Sequence, residues 1–189
     1  MRWVFWLVGV IALAGVIHIS TILAIPRIAP FDAWSRIAAQ IPEKSFSVLP
    51  LARPGEEVIP LMDPAIQYSV CRYDLSEGPL HVEAVLPHGY WSVAGQTRSG
   101  IVFYSVTGQA SPTGRINMEV RNSDQMREKS LADSEEKDDM LTIEAPENQG
   151  FLVFRSLVAT ASMLGQIEDL AKQTACETVA EPAPAQAAQ

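Results

Sequence analysis

Apolar and polar residues divide the chain into an uninterrupted apolar run at the N-terminus and a longer part in which the two kinds of residue alternate. From Trp3 to Ile25 there are 23 residues without Asp, Glu, Lys or Arg. A helix rises about 1.5 Å per residue, so this run would be roughly 34 Å long, which is enough to cross a hydrocarbon core of about 30 Å. The pattern therefore predicts a transmembrane anchor over residues 1–26.

A cleaved secretory signal peptide is the main alternative for this run. The apolar core of a signal peptide is typically about 7–15 residues long, and a small-x-small cleavage site follows it. This run is longer, and it ends in Leu23-Ala24-Ile25-Pro26-Arg27 without a clear site of that kind. We therefore expect an uncleaved signal anchor.

Charged residues flank the run on both sides and do not orient it. Arg2 precedes the run, while Arg27, Arg36 and Lys44 follow it, so the positive-inside rule gives no clear preference. The N-terminal tail is very short, however, and long C-terminal domains translocate largely regardless of charge. We expect the C-terminal domain to lie outside the cytoplasm.

The pattern over residues 27–45 predicts a juxtamembrane helix and a linker. Trp34, Ile37, Ala38 and Ile41 recur at helical spacing and form one apolar stripe, and a proline follows them. The stripe suits two placements, one on the bilayer surface and one against the following domain. Both placements remain open from the sequence.

Residues 46–176 show the alternation that is typical of half-buried strands. Seven or eight short strands are predicted between turns, with a short helix from Ser123 and a final helix from Ser162 to about Cys176. This pattern indicates a mainly β domain, either an antiparallel sandwich-like domain or a partly closed barrel, with a few short helices. The Pro- and Ala-rich residues 177–189 are predicted to be a disordered tail.

Composition and charge narrow the class of partner. Apolar residues make up 48% of the 189 residues, which excludes wholesale disorder. The net charge is −8, whereas a nucleic-acid binder needs a basic face for the phosphates. We therefore expect no nucleic-acid partner. The expected partners are the membrane, through a single span, and an envelope protein or component.

The chain has two cysteines, Cys71 in a predicted strand and Cys176 at the end of the last predicted helix. In an oxidising compartment they would pair and tie that helix to the sheet, whereas otherwise they would be two unpaired thiols. Their separation fits neither a C-x-x-C redox motif nor a zinc site. We predict the disulfide, and this prediction favours a domain outside the cytoplasm.

The sequence lacks the common motifs for catalysis and cofactor binding. Phosphate-binding glycine loops, the G-x-S-x-G nucleophile motif and the H-E-x-x-H zinc motif are all missing. We expect no catalytic residue, no metal and no cofactor, and we prefer a non-enzyme while leaving enzymatic activity open. Aromatic side chains beside charged ones nevertheless suggest a small-ligand pocket in the 73–98 segment. Its candidate residues are Tyr73, Asp74, His88, Tyr90, Trp91 and Arg98.

Three blocks of sequence, in this order, resemble a bacterial family. The blocks are AIPRIAPFDAW at 24–34, PLMDPA at 60–65 leading to CRYDLSEGP at 71–79, and GYWS at 89–92 followed by RSGIVFY at 98–104. They resemble those of uncharacterised single-span membrane proteins of about this length. The core hairpin is also similar to the N-terminal domain of larger exported two-domain proteins of unknown function. The resemblance implies a β-sandwich-like domain and an envelope location, and it implies no activity.

The preferred hypothesis is a non-enzymatic envelope protein that is anchored in the inner membrane and binds a partner through a periplasmic domain. The first alternative is a small-ligand binder or enzyme with a pocket in the 73–98 segment. A further alternative is a membrane-assembly factor that acts through the polar residues His18 and Ser20 of the span.

Overall fold

In the computed structural model, the described part of the chain comprises residues 2–28, 33–42, 45–111, 113–132 and 140–179. Its helices are α1 (Arg2–Ile28), α2 (Ala33–Gln40), α3 (Ser123–Ala132) and α4 (Ala161–Lys172). Its strands are β1 (Phe46–Val48), β2 (Ile66–Asp74), β3 (Leu80–Val85), β4 (Trp91–Thr97), β5 (Val102–Thr107), β6 (Arg115–Arg121), β7 (Leu141–Glu144), β8 (Gln149–Leu157) and β9 (Ala175–Thr178). From residue 180 onward, the predicted tail lies outside the described residues.

The apolar run forms one continuous helix, α1. Its segment Arg2–Ile25 has 24 residues with a mean hydropathy of 2.4, and none of the most apolar stretch is buried against the rest of the protein. By length and composition this helix is able to cross a membrane, as the sequence predicts.

The nine strands of the described residues form two sheets. One has five strands in the order β1-β2-β8-β4-β5, and the other has four in the order β7-β6-β3-β9. Neighbouring strands are antiparallel except for β6 and β7, which are parallel. The predicted sandwich-like domain is confirmed, because the described strands pack as two sheets and not as a closed barrel.

Alternation along the strands places apolar side chains between the two sheets. Cys71 and Tyr73 of β2 face this interior, as do Leu152 and Phe154 of β8. Burying one large aliphatic or aromatic side chain stabilises a fold by about 1.5–3 kcal/mol. The core also contains Leu75, Leu80, Val82, Trp91, Val93, Met118 and Val120.

A disulfide joins the two sheets through this core. Cys71 lies on β2 and Cys176 on β9, with their Cα atoms 6.4 Å apart. The predicted pairing is confirmed, but the placement of Cys176 at the end of a helix is wrong, because α4 ends at Lys172 and β9 follows it. The helical pattern could not reveal β9, since this short strand forms by pairing with the distant residues Leu80–Glu83. The strand extends to Thr178.

The helix α2 packs on the outer face of the five-stranded sheet. Ile37 of this helix and Ile41, which follows its last residue, are buried together with Phe151 of β8. The guanidinium of Arg72 donates hydrogen bonds to the carbonyl oxygens of Ala38 at 3.4 Å and Ile41 at 2.6 Å. Carbonyl groups in the last turn of a helix lack partners within the helix, so Arg72 acts as a cap. The apolar stripe therefore packs against the domain, which is one of the two placements that the sequence leaves open.

The five-stranded sheet has two ends, which we name after the first and last residues of β2. Because β2 and β4 both pair antiparallel with β8, Asp74, Thr97 and Gln149 lie together at one end. Ile66 and Trp91 lie at the other end. We call these the Asp74 end and the Ile66 end.

Candidate functional site

A shallow, open depression lies at the Asp74 end. It has a volume of about 440 Å³, and the ends of β2 and β4 and the start of β8 form it. Its lining consists of Asp74, Ser76, Arg98, Glu147, Asn148 and Gln149. Carboxylates, a guanidinium and amides can hold a small polar or zwitterionic group by hydrogen bonds.

The side chain of Gln149 connects the two charged residues that the sequence analysis selected at this end. Its Nε2 donates to Asp74 Oδ2 at 2.9 Å, and its Oε1 accepts from Arg98 Nη1 at 3.4 Å. The backbone N–H and the hydroxyl of Ser76 donate to Asp74 Oδ1 at 2.9 and 2.6 Å. On the rim, the hydroxyl of Ser99 donates to a carboxylate oxygen of Glu147 at 3.3 Å. Asp74, Ser76, Gln149 and Arg98 therefore form one hydrogen-bonded network within the lining.

The first turn of α2 lies beside this depression. The guanidinium carbon of Arg98 is 5.6 Å from the centroid of the Trp34 ring, and that of Arg72 is 4.9 Å from the same centroid. The Trp34 ring also stacks on Phe151, with 6.0 Å between the two centroids. Cation–π contacts of this kind contribute roughly 0.5–2 kcal/mol each. They hold the start of α2 at the Asp74 end.

Two of the predicted site residues, Tyr73 and Trp91, are buried between the sheets, where they are 2% and 3% exposed. The Tyr73 hydroxyl donates to the Gln96 carbonyl oxygen at 3.4 Å, and its ring meets the Phe103 ring edge-on at 6.5 Å. Burial, and after it the charge of Glu147, raises the pKa of Tyr73. Neither Tyr73 nor Trp91 lines the depression.

Two further predicted residues, His88 and Tyr90, lie at the opposite Ile66 end, in the segment between β3 and β4. Both are exposed. The seven residues of β4 separate them from Arg98, which corresponds to roughly 23 Å at about 3.3 Å per residue. The structure thus brings Asp74 and Arg98 together and leaves the other four residues apart from them. A ligand-binding role for the six residues stays a prediction.

Four of the lining residues are not among those predicted from the sequence, namely Ser76, Glu147, Asn148 and Gln149. Their polar character is typical of turns and carried no distinguishing signal. Gln149 is 75 positions from Asp74 and 51 positions from Arg98 along the chain. Only the placement of β8 between β2 and β4 brings them together, and no local pattern shows that pairing.

A second charged cluster, which is likewise not predicted from the sequence, lies on the outer face of the four-stranded sheet beside α3. Arg121 donates two hydrogen bonds to the Glu119 carboxylate, at 2.8 and 3.0 Å. Lys129 Nζ donates to Glu119 at 2.9 Å and to the Thr142 hydroxyl at 2.9 Å. Burial raises the pKa of Glu119, but the hydrogen bonds and charges of Arg121 and Lys129 outweigh it and lower the pKa below its ordinary value. These contacts fix α3 and β6 to each other.

Acidic, histidine and cysteine side chains do not gather into a metal site within the described ranges, where no three of them are placed to hold an ion. His81 and Glu83 contact each other at 3.2 Å on the outer face of β3. His88, which the sequence places near them, lies past the end of that strand.

Comparisons with known proteins identify a family and a shared fold. A family model described as "Protein of unknown function (DUF1254)" matches residues 44–178. A comparison with curated proteins found no match. The crystal structure of the VPA0106 protein from Vibrio parahaemolyticus is similar, with a TM-score of 0.57 and 13% identity over 83% of this chain. That of an uncharacterized protein from Burkholderia cenocepacia gives a TM-score of 0.38 and 17% identity over 60% of this chain.

Both solved proteins are much longer than this chain, which covers 38% of the Vibrio protein and 32% of the Burkholderia protein. At 13% identity, the likeness to the Vibrio protein shows a common fold and nothing about activity.

Proposed function

Because the chain belongs to the DUF1254 family, a family of unknown function, we propose a function from the architecture of this chain itself. The protein is a single-pass protein of the bacterial inner membrane, and its β-sandwich lies in the periplasm. There it binds another envelope protein or component and catalyses no reaction.

The observation that carries this proposal is an uncovered apolar helix joined to a disulfide-bonded domain. The large apolar side chains from Trp3 to Ile25 are more than half exposed, with values from 52% at Ile22 to 89% at Trp3. Leaving apolar surface in water costs about 25 cal/mol per Å², so a helix of this composition needs a cover. The hydrocarbon core of a bilayer has the matching thickness.

The disulfide supports a periplasmic domain. Cys71 and Cys176 are 0% and 7% exposed, so the bond is part of the core. Disulfides persist in oxidising compartments such as the bacterial periplasm and are rare in the cytosol. A bond on which the two sheets depend is therefore expected on the outer side of the membrane.

The Ile66 end supports a binding role. Leu61, which precedes β2, is 100% exposed and has a left-handed backbone conformation with φ 68°. Tyr90, which precedes β4, is 56% exposed. A branched apolar residue is strained at positive φ, and its exposed side chain is unfavourable in water. Burial of that side chain by a partner would therefore offset part of the free-energy cost of this conformation.

The topology is tested by protease treatment of spheroplasts that contain the full chain. We expect an external protease to digest the domain while a fragment with α1 remains in the membrane pellet. Protection of the domain until the membrane is lysed would contradict a periplasmic location.

The binding role is tested by placing a photo-cross-linking amino acid at Leu61 or Tyr90 in growing cells. The matched control is Glu83, whose side chain is 63% exposed on the outer face of the four-stranded sheet. We expect one defined adduct from the positions at the Ile66 end and none from Glu83. Equal cross-linking at all three positions, or no cross-linked adduct from any of them, would contradict a binding surface at the Ile66 end.

A second candidate function is favoured by the pairing of Asp74 and Arg98 in one depression. Their opposite charges, both contacting Gln149, suit a small zwitterion such as a free amino acid. Amino acids that raise the unfolding temperature of the full chain in detergent, with no effect on the Arg98→Gln variant, would support this candidate. No shift with any amino acid would dismiss it.

A further inference from the structure

We infer that the Asp74 end of the sandwich rests on the bilayer surface, with Ile101 and Val102 in contact with the lipid headgroup region. The inference rests on the proposed anchoring of α1 in the membrane. Beyond the proposed function, it specifies that the membrane covers the Asp74 end of the domain and that the Ile66 end stays free for a partner.

The chain between the anchor and the domain is too short to allow free rotation. The helix α1 ends at Ile28, and α2 begins five residues later at Ala33. Five extended residues span at most about 18 Å. The apolar segment ends at Ile25, one helical turn before Ile28, so Ala33 lies within about 22 Å of the apolar part of α1.

The start of α2 is fixed to the Asp74 end, so the tether holds that end near the membrane. Trp34 lies 5.6 Å from the Arg98 guanidinium and stacks on Phe151, while Arg72 caps the last turn of the same helix. The Ile66 end lies farther away by the length of β4, roughly 23 Å. A domain held in this way presents the Asp74 end to the lipid.

The tip of the β4–β5 hairpin exposes apolar side chains at this end. Gly100 has φ 84° and its N–H donates to the Thr97 carbonyl oxygen at 2.9 Å, which closes a tight turn. Ile101 and Val102 follow the turn and are 64% and 53% exposed. The tip is also adjacent in sequence to Arg98, which contacts Trp34.

The chemistry of this end fits a lipid surface better than water alone. Two apolar side chains stand beside a polar depression that carries both signs of charge, on Asp74, Glu147 and Arg98. An interfacial surface needs apolar groups that enter the headgroup region and polar groups that meet the headgroups. The short tether raises the effective lipid concentration at this end, so two apolar side chains suffice for contact.

The test uses the full chain in phosphatidylcholine vesicles, with an environment-sensitive fluorophore on a single introduced cysteine. The native Cys71 and Cys176 are bonded and buried, so they do not react with the label. The positions are Ile101→Cys and Val102→Cys at the hairpin tip, and Leu61→Cys and Tyr90→Cys as matched controls at the Ile66 end. Fluorescence is compared with and without lipids that carry a spin-label quencher on the headgroup.

We expect the labels at the hairpin tip to lose most of their fluorescence and the control labels to keep theirs. Full fluorescence at the tip, in protein that floats with the vesicles, would overturn the inference and leave the anchor intact. Quenching at Leu61 or Tyr90 instead would overturn it as well, because the Ile66 end would then face the lipid. Protein that does not float with vesicles would refute the proposed anchoring, and the inference would fall with it.

Discussion

Breaking the disulfide tests how strongly the two sheets depend on their link. Replacing Cys71 and Cys176 together by Ala removes the bond and leaves a small apolar side chain at both positions in the core. The bond joins residues separated by 105 positions. In the chain-entropy model, closing a loop of this length stabilises the folded state by roughly 4–5 kcal/mol. Single domains have total stabilities of about 5–15 kcal/mol, so the change removes a large part.

The assay is urea unfolding of the full chain in detergent, followed by near-ultraviolet circular dichroism, which reports the packing of aromatic side chains such as Trp91. We expect the midpoint of the double variant to fall by about 2 M, given a slope of about 1–3 kcal/mol per molar urea. Wild-type protein treated with a thiol reductant is the matched control, because it keeps both sulfur atoms and loses only the link.

Two results would refute this reasoning. If the double variant and the reduced protein unfold at the same urea concentration as the oxidised protein, loop closure contributes nothing. If only the double variant is destabilised, the packing of the sulfur atoms stabilises the core and the link does not.

Four other substitutions give distinct outcomes. The pKa of Glu119 is lowered in the folded state, so its contribution to stability is present above the ordinary carboxyl pKa and is lost as pH falls through the folded value. Below about pH 4.5, the free energy of unfolding of the wild-type protein should therefore fall more steeply with pH than that of Glu119→Gln. The substitution itself costs roughly 3 kcal/mol of stability at pH 7. Arg72→Met removes the cap of α2 and should cost roughly 1.5–3 kcal/mol, with faster tryptic cleavage within α2. A Cβ on Gly150 would overlap the Gln96 carbonyl oxygen, so Gly150→Ala should lower the unfolding temperature. The space around Gly165 of α4 is open, so Gly165→Ala should raise the free energy of unfolding by up to about 1 kcal/mol.

The elements that the sequence predicts well are those whose pattern is local. The apolar run of α1, the stripe of α2 and the alternation within single strands all lie within short windows and appear in the structure. β9 was missed because Ala175–Thr178 is too short to carry a pattern and forms only by pairing with β3. The placement of β8 between β2 and β4 was unreadable for the same reason, since strand order is a long-range property.

The predicted pocket shows the same limit. The segment 73–98 is short along the chain, but it runs from the Asp74 end through β3 in the other sheet to the Ile66 end, and then back along β4. Asp74 and Arg98, the two outer residues, therefore meet, while His88 in the middle lies at the far end. In an antiparallel fold, nearness in sequence predicts nearness in space only for residues beside one turn.

The two covered faces of the five-stranded sheet lead to a last prediction, which concerns truncation. Most of β8 is buried on both faces, because the core covers one face, and Ile37 of α2 and the following Ile41 cover the other. Removing α1 alone keeps this cover, whereas removing residues 33–41 as well exposes Phe151 and Val153 and costs roughly 3–6 kcal/mol for the two isoleucines. We expect a truncated protein that begins just before α2 to be monomeric in size-exclusion chromatography, and one that begins just after Ile41 to aggregate or bind a hydrophobic dye. Equal behaviour of the two proteins would show that α2 belongs to the anchor and not to the domain.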